Sequence, residues 1–304
     1  MRTKKLHWFK TALQVKGSVI PAIYQRVLVC GLFGVFISIL YHFKLPVFHP
    51  TMGTVIPSIV LGLLLVFRTN TAYERFWEGR KYWGSLVNDI RNLSRQIWVA
   101  IVELEPQDRK HKIVALRLLV AFAVATKLHL RGEPINNDLE KLIPANWCLK
   151  LKDMNNPPLE VALLIADYLQ QQYERDCLNA YQLTAMQNVV NKMVDTLGGC
   201  ERILKTPMPL AYAIHLKQLL LIYCLLLPFQ LVAHVTWWTG AIVALISFTF
   251  FGIEQIGVEI ENPFGHDAND LPLDAICNTM LRNIEDLITL SPSMKSYTDN
   301  AENR

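Results

Sequence analysis

The sequence predicts an all-α membrane protein with four transmembrane helices in two hairpins, continuous with a cytosolic helical bundle. Three observations predict the helical part. Four apolar runs, Val27 to Tyr41, Thr51 to Phe67, Leu219 to Val235 and Gly240 to Gly252, stand in two close pairs. The stretch between the pairs carries apolar residues at the three- and four-residue spacing of amphipathic helices. No alternating stretch demands a strand.

Composition sets the class. Of 304 residues, 52% are hydrophobic and only 18% charged, below the roughly 25% usual in soluble domains. Mean hydropathy is +0.23. The net charge of +4 is spread along the chain without a basic block, so it speaks for membrane topology and against a nucleic-acid partner. Six cysteines, at 30, 148, 177, 200, 224 and 277, form no CxxC pair and no framework spacing. Free thiols facing a reducing compartment are expected.

Residues 1–26 are basic with interleaved apolar residues and lack a cleavage pattern, which predicts a retained cytosolic segment. It suits either a membrane surface or an ordinary packed helix. Residues 27–67 form the first hairpin. Its connection contains Lys44 and no Arg, whereas Lys4, Lys5, Lys10, Lys16 and Arg26 precede it and Arg68, Arg75, Arg80 and Lys81 follow. The excess of positive charge on cytosolic flanks places both flanks, and with four spans both termini, in the cytoplasm.

The second run, TMGTVIPSIVLGLLLVF, covers about 25 Å at the helical rise and flows without turn residues into RTNTAYERFWEGRKYWG. Ile59, Leu63 and Phe67 fall four apart, on one face. Several copies around an axis would stack them as apolar rings, which gate ions by dewetting. With nearly every position apolar, lipid or neighbouring helices are equally open partners for this face.

Residues 68–211 read as a cytosolic helical domain. Trp83, Leu86, Val87, Ile90, Leu93 and Ile97 mark one buried stripe. Ile113 to Leu130 and Pro158 to Tyr173 are further helices, separated by RGEPINND and LKDMNNPP. Leu183, Met186, Val189, Val190, Met193, Val194 and Leu197 mark another, which Gly198 and Gly199 are expected to stop. Residues 212–253 hold the second hairpin, with Trp237 and Trp238 at its turn suited to an interface belt. Residues 254–304 comprise an acidic segment, an amphipathic helix on Leu273, Ile276, Met280, Ile284 and Leu287, and a tail from Ser291.

Three signatures, FRTNTAYERFWEGRKYWG, GCERILKTPMPLAYAIHLK and ENPFGHDANDLPLDAIC, occur in this order around the two hairpins. Together they resemble the bestrophin family, in its bacterial and plastid branch. The resemblance implies a homopentameric ion channel in a lipid bilayer, a cell (inner) or thylakoid membrane. Its second helices would line a pore narrowed at a neck of apolar rings, which matching the motif places at Ile59, Leu63 and Phe67. Family members mostly pass small inorganic anions, chloride or bicarbonate. A second constriction, at the cytosolic aperture, falls on Tyr181 by counting back from Gly198.

In animal members of that family the segment after the fourth span clasps calcium. The matching positions are Glu259, Asn262, Asp267 and Asp270, oxygen donors suited to a hard cation. His266, Ala268, Asn269 and Pro272 stand where acids would be, so calcium is an optional ligand and no cofactor is required. The alternative is that Asp267 and Asp270 cap the following helix.

Apolar rings cannot replace a hydration shell, so selectivity would come from the mouths of the neck. The basic flanks favour anions. Glu254, Glu259 and Glu261 favour cations unless buried and paired, which keeps a cation-selective channel open as an alternative. A membrane-embedded enzyme finds no support: His7, His42, His49, His111, His129, His215, His234 and His266 are scattered without HExxH or HxxxH. A non-conducting scaffold is the remaining class.

Overall fold

The computed structural model describes residues 8–49 and 55–289. The start of the second apolar run, Thr51 to Thr54, and the tail from Ser291 lie outside the described residues. The chain forms two compact units. One comprises Met1–Trp77 with Thr206–Asp270, the other Glu78–Lys205 with Leu271–Arg304. Among the described residues every regular element is helical.

The first unit holds α1 (Trp8–Ala12), α2 (Ile20–His42), the start of α3 (Val55–Ala100), α9 (Leu210–Val235) and α10 (Thr239–Glu261). A single turn of 3-10 helix, Thr236–Trp238, joins the last two. α2 and the stretch Leu210–Glu261 are long and apolar enough to cross a membrane. Two of the expected spans are thus the C-terminal parts of longer helices: α2 begins before Val27 and α9 before Leu219. Trp237 and Trp238 are exposed at the turn.

Small residues bring α2 and α10 into close contact. A Cβ on Gly34 would stand 2.9 Å from Gly240 Cα, and one on Gly31 would stand 3.1 Å from Ala244 Cβ. Where lipid competes on equal terms for apolar surface, such backbone approach is what holds two helices together. Around this seam Ile23, Cys30, Leu61, Leu65, Leu216, Leu220, Cys224, Leu227, Val243 and Phe251 form one core.

The second unit holds the rest of α3 with α4 (Asp108–Arg131), α5 (Asn137–Glu140), α6 (Ala145–Leu151), α7 (Pro157–Glu174), α8 (Ala180–Lys205) and α11 (Leu273–Thr289). The expected stripe on α3 is buried: Trp83, Leu86, Leu93 and Ile97 are fully enclosed. α4 also has the length and hydropathy of a span, yet 78% of its apolar window is buried inside the unit. It packs against α7, α8 and α11. Its buried Lys127 donates to Asp274 at 2.7 Å, and Arg131 donates to the other oxygen of the same carboxylate at 3.0 Å. The Lys127 hydrogen bond is the main cause that holds Asp274 down to about 2, with burial opposing and Arg131 assisting.

The expected stop at Gly198 and Gly199 is corrected: α8 runs through both to Lys205. Gly199 is needed for space, since a Cβ there would fall inside the ring of Tyr82 on α3. The Tyr82 hydroxyl accepts a hydrogen bond from Arg202 at 2.7 Å, one turn further along α8. All six cysteines are free and buried.

The first unit follows α3 ten residues past Phe67 and takes in the segment after α10 as far as Asp270. Arginine bonds explain this, because Arg68 and Arg75 on α3 both reach Glu261.

Candidate functional site

Ile59, Leu63 and Phe67 lie on one side of α3 and are 63%, 54% and 57% exposed. The opposite side of the same helix is buried: Leu61, Leu65, Arg68 and Ala72 are each at most 3% exposed. The two sets are about half a turn apart at 100° per residue. Burial of Leu61 and Leu65 against α9, with Tyr212 donating to the Leu64 carbonyl at 2.8 Å, fixes the rotation of α3. The face nominated by spacing is therefore the one the fold leaves uncovered.

Directly below Phe67 the helix is anchored by charge. Arg68, 3% exposed, donates from Nη2 to Glu261 Oε2 at 2.9 Å and from Nη1 to Met208 Sδ at 2.6 Å. The second oxygen of Glu261 accepts the Met208 N–H at 2.9 Å. Arg75 donates to the Glu261 carbonyl at 3.1 Å and to the Thr206 carbonyl. Burial of a charge requires such pairing, and Gly257 leaves the room for the Arg68 side chain. Sequence reading gives Arg68 and Arg75 only as flanking charges and misses this cluster. The available signal is Glu261, an acid at the very end of the fourth apolar helix.

Glu254, 2% exposed on α10, lies 3.8 Å from Arg26 and 3.9 Å from Lys217. Of the three acids that would favour cations, Glu254 is thus buried and paired, and Glu261 is mostly enclosed and paired with Arg68. The third, Glu259, accepts from Asn269 at 2.8 Å.

Two of the calcium-type donors, Asn262 and Asp270, bond within their own segment. Asn262 Oδ1 accepts the Phe264 N–H at 3.3 Å, and Asp270 Oδ2 accepts the Asp267 N–H at 2.8 Å. The Asp270 N–H in turn bonds the Asp267 carbonyl, so the two aspartates close a turn of their own. Among the described residues no three His, Cys, Asp or Glu side chains are grouped to hold a metal. Glu259, Asn262 and Asp270 each spend one side-chain oxygen on a bond within this stretch of chain.

Tyr181 sits at the start of α8 and is 89% exposed. The buried stripe of that helix, Met186, Val190, Met193 and Leu197, lies well around the helix from it.

The family model described as Bacterial/Fungal Bestrophin protein matches residues 1–286. A voltage-dependent anion channel-forming protein of Nostoc sp. is 68% identical, over 98% of this chain and 97% of its own length. A protein of the same description, YneE of Escherichia coli K12, is 33% identical over 90% of this chain and 89% of its own. The crystal structure of a bacterial bestrophin homologue from Klebsiella pneumoniae superposes with a TM-score of 0.80 at 32% identity, covering 89% of this chain and all of that one. With its helical architecture, its uncovered α3 face and these matches along its whole length, the chain belongs to the bacterial and fungal bestrophin family.

Proposed function

We propose that this integral membrane protein is an anion channel formed by several copies of the chain, five by family resemblance, with α3 from each copy lining the pore. The observation that carries the reading is the uncovered face of Ile59, Leu63 and Phe67 opposite a fully packed one. Contributed by several copies around an axis, rings of such side chains make a hydrophobic neck. The neck conducts when wide enough to wet, and Tyr181 forms the narrowing at the cytosolic end.

Two observations support anions over cations. Relatives along the whole chain are described as anion channel-forming proteins. The acids at the end of α10 are occupied by Arg68, Arg26, Lys217 and Asn269 and do not offer a free cation path. The channel reading needs neither an enzymatic centre nor calcium, and both termini stand on the cytosolic side.

The test is the reversal potential of the purified protein in a planar bilayer under a tenfold KCl gradient. Reversal near the chloride equilibrium potential, about 59 mV per tenfold for a monovalent ion, is the expected result. Reversal near the potassium potential would make the pore cation-selective, and absence of any current would favour a non-conducting scaffold.

A further inference from the structure

Seen from the neck, the first groups an ion meets on α3 are Asn70 and Glu74. At 100° per residue, Ile59, Leu63, Phe67, Asn70 and Glu74 fall within an arc of about 80°. Glu74 stands about 10 Å along the axis from Phe67. Asn70 and Glu74 are both exposed, and no hydrogen bond or ion pair ties either side chain among the described residues. That distinguishes Glu74 from its neighbours. Arg68 and Arg75 are committed to Glu261, and the acids of α10 are committed to cations or to Asn269. Glu74 is the one carboxylate on this arc that the fold leaves unneutralised among the described residues of the first unit.

Resting on the channel reading above, we infer that Glu74 is a selectivity-determining residue that restrains anion flow at the inner mouth of the neck. One carboxylate from each copy makes a ring of negative charge at the point where the pore leaves the dry neck. Near low-dielectric walls such a ring acts on ions over several ångströms. It lowers the local concentration of anions entering from the Glu74 side, while anions arriving from the other side pass the neck before they meet it. The current is therefore asymmetric with voltage. Asn70, between the ring and the neck, carries amide N–H groups that can donate to an anion and offset part of the barrier.

Salt gives the signature. At 0.1 M ionic strength fixed charge reaches about 10 Å, and at 1 M only about 3 Å. Glu74→Gln should raise single-channel anion conductance about twofold or more in 0.1 M KCl and straighten the current–voltage relation. The gain should fall towards unity in 1 M KCl. Glu74→Asp, which keeps the charge, should retain the wild-type rectification. Because the side chain is exposed and bonded to nothing among the described residues, both variants should assemble as the wild type does in size-exclusion chromatography. A Glu74→Gln channel identical to wild type in 0.1 M KCl overturns the inference and leaves the channel reading intact. So does a gain shared by Glu74→Asp, or one that persists undiminished in 1 M KCl. A wild-type protein that passes no current overturns both, and is seen before any variant is made.

Discussion

Arg68 and Glu261 meet at 2.9 Å across α3 and α10, and the same carboxylate receives the Met208 N–H with its other oxygen. One acid thus fixes α3 and the chain entering α9. Among the described residues Arg68 Nε has no partner, so its guanidinium depends on Glu261 and the Met208 sulfur. Glu261→Gln removes the counter-charge. A loss of about 3–5 kcal/mol is expected, read as a lower unfolding midpoint in detergent. Adding Arg68→Met should recover most of it, since the introduced amide can still accept the Met208 N–H while no buried cation remains at the contact.

Replacing Ile59, Leu63 and Phe67 together by Ala should keep the neck wet and the channel leaky. Bilayer recordings would show a raised open probability. The same open probability as wild type would sink the neck assignment.

Gly199→Ala places a methyl group inside the Tyr82 ring. The ring must move and give up its bond from Arg202, at a cost of about 1–3 kcal/mol. Tyr82→Ala in the same chain should relieve the overlap. The two changes should therefore be non-additive in a double-mutant cycle read by thermal unfolding.

Local pattern conveys what repeats along the chain and hides what is paired at a distance. The stripes of α3, α8 and α11 are legible because each repeats at the helical period and needs no knowledge of its partner. The end of α8 is not, because Gly198 and Gly199 carry a local stop signal, while the reason for Gly199 is a ring on a distant part of the chain. Arg68 and Glu261 are each visible as charges at span ends, but their pairing is a long-range fact. The acidic segment reads as a ligand set by resemblance, and only the structure shows that backbone N–H groups take one oxygen each of Asn262 and Asp270. For the neck, spacing supplies the three residues and resemblance supplies the role. Only packing shows that Leu61 and Leu65 take the other face.

Asp274 predicts an acid response. Its pKa is lowered in the folded chain, so it contributes stability fully above its unfolded value, about 4. That contribution is lost as the pH falls through its folded value of about 2. Asp274→Asn takes the shared carboxylate from Lys127 and Arg131 and should lower the unfolding midpoint by a few degrees at pH 7. The gap to wild type should narrow between about pH 4 and pH 2. A gap constant over that window would show that the carboxylate charge is not what docks α11 on α4.

The seam of Gly31, Gly34 and Gly240 joins one of the first helices made to one of the last. At about 5–20 residues per second of synthesis, Gly240 follows Gly34 by roughly 10–40 s. During that interval α2 stands in the bilayer with its narrow groove open to acyl chains. The groove closes only after the helices between have been made, so closing of the α2–α10 seam is a late event in the life of the nascent chain. A substitution that widens the seam would be felt first in biogenesis, as protein degraded before it matures, and only afterwards in the conductance of the molecules that survive.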